Sequence, residues 1–394
     1  MERLNMHFDR LRPTVICPAS GYIKHDYLVP GGFYKEMWDW DGYFISIHLI
    51  SRDRANATYL KYWALSFIEA RDENGYVPGC ITVKGLNKRL GYFPMKPFLA
   101  QGVYLAATTL DDFTWVDENY EGIKSIVRNR EKTNFDPHYG LFFWDNALQS
   151  GADNNVALSN DPSAAGSILA CDINTFQLRE YISLCKLAEK LGRDDDAVLF
   201  KQKSDDLTEA IARYHWSDED ESYWNVLRQS GEPVRRVTYS NFVPLVQNMA
   251  PLDAGRRMIR RYLWNEEHML SPFGLRSLSR QDPDYNNELM IVPYSNWQGP
   301  IWPITNYLYF RALMNYGFEV EARQLAKMMM EICLRDIDQC GSMHENYHAE
   351  TGEPLAPSPE HFSTGKFEGF VGWNLLVQNM QEEVDSLEDP LKIQ

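Results

Sequence analysis

Apolar residues recur at intervals of three and four over most of this chain. The pattern runs through "DGYFISIHLISRD" (41–53), "ATYLKYWALSFIEARD" (57–72), "PFLAQGVYLAATTL" (97–110), "YEGIKSIVRNREKT" (120–133), "DINTFQLREYISLCKLAEKLG" (172–192) and "DAVLFKQKSDDLTEAIARYHW" (196–216). It resumes in "DAGRRMIRRYLWNEE" (253–267), "PITNYLYFRALMNYG" (303–317), "EVEARQLAKMMMEICLRDI" (319–337) and "FVGWNLLVQNMQEEV" (370–384). A three-to-four spacing puts the apolar positions on one face of an α-helix. Several of these segments begin at Asp or Pro and end near Gly, as helix starts and stops do. The pattern therefore predicts an all-α chain of paired helices joined by polar loops. Alternating segments are few, and "YWNVLRQSGEPVRRV" (223–237) is the best hairpin candidate.

No Ser/Gly linker or break in composition divides residues 1–394, so the prediction is a single domain. Helix pairs over this length can close into a toroid of inner and outer helices with a loop-lined pit at one end; an irregular helical bundle is the alternative. In either arrangement the loops between helices are where chemistry is expected.

Composition narrows the ligand. The chain has 55 acidic and 39 basic residues, a formal charge of −16, with the acids scattered along its length. That argues against nucleic acid and anionic membranes as partners. Eleven Trp, 22 Tyr and 19 Phe, many beside carboxylates, amides and Gly, suit a small carbohydrate whose C–H faces stack and whose hydroxyls need acceptors. Six Cys at 17, 80, 171, 185, 333 and 340 are too dispersed for a secreted disulfide scaffold, so free thiols are expected. The N-terminal stretch has no signal-like apolar region and no segment is long enough to span a bilayer, which predicts a cytoplasmic protein.

"SMHENYHAETGEP" (342–354) contains His-Glu-x-x-His, the zinc-peptidase spacing. That chemistry requires the motif inside a helix, so that both imidazoles face one way. Here Gly341 and Ser342 precede it and Thr351-Gly352-Glu353-Pro354 follow, leaving no room for a buried helix. Glu368, the candidate third ligand, reads equally well as a first-turn acid of a following helix. The expectation is no metal and no cofactor, with His344 and His348 as polar lining.

Three further stretches share the acidic and aromatic character of this one. "FYKEMWDWDGYF" (33–44) sets Tyr34, Trp38 and Trp40 around Asp39 and Asp41; "QSGADNNVAL" (149–158) puts Asp153 in a Gly/Asn turn; "YSNWQGPIWPITNYL" (294–308) places Trp297 and Trp302 about Gln298-Gly299-Pro300. Splitting a glycosidic bond needs one carboxyl to protonate the leaving oxygen, a second to activate water or attack carbon, and a platform for the ring. Each residue also has a plainer reading. Asp153 fits a turn aspartate bonding its own backbone, Asp41 and Asp172 fit helix caps, Asn174 a packing amide, and the tryptophans a core.

In chain order, Trp40-Asp41-Gly42-Tyr43-Phe44, Lys96-Pro97-Phe98-Leu99-Ala100-Gln101, Ser150-Gly151-Ala152-Asp153-Asn154, Asp172-Ile173-Asn174, Trp297-Gln298-Gly299-Pro300-Ile301-Trp302-Pro303, Glu345-Asn346-Tyr347 with Thr351-Gly352, and Phe370-Val371-Gly372-Trp373 together resemble glycoside hydrolase family 63, a relative of the family 37 trehalases. The resemblance covers nearly the whole chain. It implies an (α/α)6 barrel and an inverting, metal-independent hydrolysis in which Asp153 is the general acid and Glu345 the general base. It implies substrate contacts from Tyr34, Trp38, Trp40, Asp41, Lys96, Gln101, Trp297, Gln298, Gly299, Tyr347 and Trp373.

Two departures concern the substrate: Gln298 stands where the family often has Arg, and "NVALSNDPSAAG" follows the acid motif. In size the chain is closer to the compact branch that resembles mannosylglycerate and glucosylglycerate hydrolases, and a separate N-terminal β-domain is not expected. A small α-glucoside or α-mannoside is the expected substrate, and a Lys before Pro in a loop suits an anionic aglycone. Competing readings are a sugar epimerase or isomerase on the same toroid, a non-catalytic sugar-binding protein, and the zinc peptidase.

Overall fold

The computed structural model describes residues 2–87, 89–292, 294–358 and 367–393. Thirteen α-helices are found among them: α1 (Glu2–Leu11), α2 (Asp39–Arg52), α3 (Ala57–Ala70), α4 (Leu99–Leu110), α5 (Thr114–Thr133), α6 (Ala147–Ser150), α7 (Cys171–Lys190), α8 (Asp194–Tyr214), α9 (Val243–Val246), α10 (Leu252–Met258), α11 (Pro303–Asn315), α12 (Glu319–Cys340) and α13 (Leu376–Ser386).

Burial sorts the helices into two kinds. Helix α2 buries every residue from Asp39 to Leu49, and α11 every residue from Pro303 to Leu313. A helix apolar all round must be enclosed by others. By contrast α12 buries a stripe, Ala322, Leu325, Ala326, Met329, Ile332, Cys333, Asp336 and Ile337, and α8 a similar one. Those three-to-four spacings are the ones the sequence showed. The enclosed helices pack in succession, α4 on α7, α7 on α9, α9 on α11, α11 on α13 and α13 on α2. Tyr43 and Phe44 of α2 meet Phe98 at the head of α4, at ring distances of 5.2 and 5.6 Å. The striped helices lie outside, α3 against α2 and α4, α8 against α7, and α12 against α11 and α13.

Short strands join the helices at one end. The expected hairpin forms, with Asn225–Leu227 antiparallel to Pro233–Val234. It extends a five-stranded sheet that includes Leu141–Trp144 and Ile168–Leu169. Phe143 pairs with Leu169 and Trp144 with Ile168, so the 23-residue stretch 145–167 that carries Asp153 is pinned at both ends. Asn174 receives Phe142 N–H at 2.8 Å and returns a bond to Phe142 O at 3.0 Å, tying α7 to that sheet. Asp172 is not the cap of α7 but a first-turn residue, taking hydrogen bonds from the Trp144 indole and the Tyr239 hydroxyl.

No helix among the described residues is long and apolar enough to cross a membrane. All six cysteines are free thiols.

Candidate active site

The loops that precede the enclosed helices come together around Trp40. Asp41 occupies the first turn of α2, Lys96 lies just before α4, Trp302 caps α11 and Trp373 stands in the turn leading into α13. Asp153 comes from the pinned stretch and Glu345 from the segment after α12.

Each carboxyl has a hydroxyl beside it. The Ser295 hydroxyl donates to Asp153 Oδ2 at 2.6 Å, and the Tyr34 hydroxyl donates to Glu345 Oε2 at 3.0 Å. Ser295 is held by a tight turn in which its N–H meets Ile291 O at 2.9 Å. Asn154 then sews the acid turn to the same stretch: its Oδ1 accepts from Trp297 N at 2.7 Å and its Nδ2 donates to Asn296 Oδ1 at 3.1 Å. Gly151 is needed here for two reasons. Its φ is +86°, and a Cβ at this position would lie 2.7 Å from the Trp40 ring and 3.0 Å from Lys96 Cε.

Burial governs the electrostatics. It lifts the Asp153 carboxyl to about 6, with Ser295 and Lys96 pulling the other way. It lifts Glu345 well above the usual carboxylate range; Asp41 and Asp153 add to the rise, and the Tyr34 hydrogen bond opposes it. Asp41 is raised by burial and by Asp39, against Lys96. Three acids buried together cannot all ionise cheaply. The partners separate the roles. A serine hydroxyl can donate to a carboxylate or accept from a carboxylic acid, so it tolerates a group that cycles. The Tyr34 phenol, raised far above its ordinary value by burial and by Glu345, stays protonated and favours Glu345 as the anion.

Around the carboxyls lies an aromatic cluster. Trp40 meets Trp373 edge-on at 5.4 Å and Trp297 at 6.3 Å, and Phe370 packs on Trp373 at 4.6 Å. Trp297 is stacked on Trp302 at 4.1 Å and touches Tyr239 at 5.4 Å; at 1% exposure it backs the cluster and offers no free face. Trp38, at the start of α2, packs edge-on against Phe93 at 6.3 Å. Phe33, Tyr34 and the exposed Tyr294 form a rim, with ring separations of 5.4 to 6.3 Å.

Several sequence expectations are corrected. Gln101 is outside this group: its amide donates to Pro97 O at 2.6 Å and Phe176 O at 3.3 Å and accepts from Arg179 at 2.7 Å. With Arg179 it lines a separate cavity of about 1270 Å³, among Tyr43, Arg311, Glu383 and Leu391. Tyr347 also turns away, giving its hydroxyl to Asp336 at 2.8 Å with no exposed surface. Lys96 faces no open space for an anion. It pairs with the fully buried Asp39 at 3.3 Å, and Asp39 Oδ2 also accepts the Lys96 N–H at 2.7 Å. Gln298 bridges Asn286 and Asn154 O, and Gly299 allows a close approach to Asn286 O, 2.1 Å from where its Cβ would stand. Both are framework.

The His-Glu-x-x-His segment is extended, with Asn346–Tyr347 paired to Pro354–Ala356. His344 Nδ1 faces Asp336, while His348 Nδ1 accepts from Glu350 N at 3.1 Å, so the two rings serve different neighbours. Glu368 precedes the helical turn at Gly372 and pairs with Lys35 at 3.5 Å. Asp41 does not cap α2; the cap position is Trp38. Residues that sequence reasoning passed over are Ser295, Tyr294 and Asp336. Ser295 and Tyr294 stood inside a quoted motif, but neither residue type is distinctive alone.

Residues 34–364 match the family described as mannosylglycerate hydrolase MGH1-like glycoside hydrolase domain. The chain belongs to that family. It is similar to the GH63 mannosylglycerate hydrolase from Thermus thermophilus in complex with glucose, with TM-score 0.68 and 18% identity over 96% of this chain and 99% of that one. It is also similar to neutral trehalase Nth1 from Saccharomyces cerevisiae, with TM-score 0.64 and 15% identity over 94% and 76% of the two chains. Among curated proteins it is 25% identical over 254 residues to a probable mannosyl-oligosaccharide glucosidase of Schizosaccharomyces pombe, covering 61% of this chain and 29% of that protein. The Saccharomyces cerevisiae mannosyl-oligosaccharide glucosidase is 25% identical over 217 residues, 50% of this chain and 24% of that protein. The MGH1-like chain thus spans less than a third of the length of these curated relatives.

Proposed function

We propose that this MGH1-like chain is an inverting α-glycosidase acting on a small α-glucoside or α-mannoside, glycosylglycerates foremost. Asp153 protonates the departing glycosidic oxygen. Glu345 takes a proton from a water that attacks the anomeric carbon from the opposite face. Asp41 accepts hydroxyls of the sugar in the glycone pocket, and Trp40 supplies the surface on which the ring lies. The reading is supported above all by Asp153 lying near enough to Glu345 to act on its charge, each carboxyl having its own hydroxyl partner beside the aromatic cluster. A second support is that Trp38 and Trp373 carry buried indole N–H groups without an acceptor in the protein, which ligand oxygens would suit.

The arrangement is read as one (α/α)6 toroid, its six inner helices being α2, α4, α7, α9, α11 and α13. An inverting enzyme holds its acid and base carboxyls about 6.5–9.5 Å apart, the spacing that admits the attacking water, and the reading requires Asp153 and Glu345 to keep it. Free thiols throughout suit a cytoplasmic setting.

A hydrolysis screen over mannosylglycerate, glucosylglycerate, trehalose, kojibiose, nigerose and sucrose tests the proposal. Release of free hexose from one or more is expected. No turnover on any, with sugar binding retained, would favour a binding protein and reject the assignment.

A further inference from the structure

The zinc motif in the sequence joins His344 to the wrong partner. In the structure His344 meets two residues of α12 instead, at positions 336 and 340. The acceptor and donor atoms of Asp336, Cys340 and His344 all lie within 4.8 Å of one another, the one such cluster of three among the described residues. Asp336 and His344 are buried at 2% and 3% exposure, whereas Cys340, the last residue of α12, reaches solvent. His344 Nδ1 stands 2.9 Å from Asp336 Oδ1. Nδ1 also stands 3.0 Å from Asp336 Oδ2, which accepts in addition from His344 N–H at 2.6 Å and the Tyr347 hydroxyl at 2.8 Å.

We propose that Asp336, Cys340 and His344 form a site for a thiophilic divalent cation of the Zn²⁺ class. The site is distinct from the proposed catalysis, which uses no metal. Its chemistry follows from the donors. One thiolate, one imidazole and one carboxylate oxygen suit Zn²⁺ in a tetrahedral shell completed by water. In such a shell neighbouring N and O ligands stand about 3.3 Å apart, from metal–ligand lengths of about 2.0–2.2 Å. Asp336 and His344 are therefore already close to the required edge. Cys340 has to close by an ångström or so, which a side-chain rotation at an exposed helix end supplies.

The cation takes the place of the proton between Nδ1 and Oδ1. That ring proton moves to Nε2, the Cys340 thiol proton leaves to solvent, and Oδ2 keeps its two hydrogen bonds. His344 is chain neighbour to Glu345, and the His344 carbonyl is held by Asn374 at 2.7 Å. With its N–H held by Asp336 as well, the His344 backbone is fixed and the ring alone adjusts to the cation.

A titration of the full chain tests it, in metal-free buffer with a non-chelating reductant. Titration with Co²⁺ alone, read by the near-ultraviolet thiolate-to-cobalt charge-transfer band, is expected to saturate at one equivalent. The band should survive Cys17→Ser and vanish in Cys340→Ser. No saturable band, or a band equal in Cys340→Ser, overturns the site. Zn²⁺ should displace the cobalt band at one equivalent, and a band that Zn²⁺ leaves in place overturns the assignment to this class of cation.

Discussion

The Ser295 hydroxyl donates to Asp153 Oδ2 at 2.6 Å, joining two residues 142 positions apart in the chain. The bond lies inside a buried pocket whose low polarity raises Asp153 to about 6. Ser295 thus restrains the rise and aims the carboxyl.

Asp153→Asn and Glu345→Gln should each cut kcat on a natural glycoside by at least about a thousandfold, because each carboxyl carries a proton that no neighbour supplies. Circular dichroism should be unchanged. Near-normal rates in either variant would remove that residue from the mechanism.

The general acid works only while protonated, so kcat/KM should fall as pH rises through about 6. On a glycosyl fluoride, whose leaving group needs no proton, Asp153→Asn should retain activity and lose this alkaline limb. A limb that persists in the variant would identify another group as the acid.

The same shift affects stability. A carboxyl raised on folding contributes fully below its unfolded value near 3.8, and that contribution is lost as pH climbs to about 6. At pH 8 the buried anion is therefore a cost, and Asp153→Asn should stabilise the fold by about 1–3 kcal/mol. At pH 3.5 the gain should vanish. Denaturant unfolding at the two pH values measures both.

Tyr34→Phe removes the phenol that supports Glu345 as an anion. A hydrogen bond to a charged group is worth about 1.5–3 kcal/mol, so kcat should drop about ten- to a hundredfold with the fold intact. An unchanged kcat would place Tyr34 outside the chemistry.

Much of this arrangement was legible in the sequence. The helices were evident from apolar spacing, though not which of them are enclosed, and seven short motifs in order pointed to the family and to the two carboxyls. Other features depended on contacts that no spacing reveals. Lys96 and Asp39 pair across 57 residues, and a lysine in a loop reads the same whether it faces a ligand or an aspartate. Gln101 is comparable, since a first-turn amide can point either way along its helix. Tyr347 fails for a local reason. A regular strand would send residues 345 and 347 to one face, but the register shifts between Asn346 and Tyr347. That irregularity puts Tyr347 with His344 on Asp336 and leaves Glu345 facing Tyr34.

The central claim is that water, activated by Glu345, attacks from the face opposite the bond that Asp153 protonates. Proton NMR of the hexose formed in the first moments of turnover of an α-glycoside, before mutarotation, tests it most directly. The account predicts the β-anomer first, with the α-anomer appearing only at the mutarotation rate. If the α-anomer appears first, configuration is retained, a carboxylate attacks the sugar itself, and the assignment of Glu345 as a base is wrong.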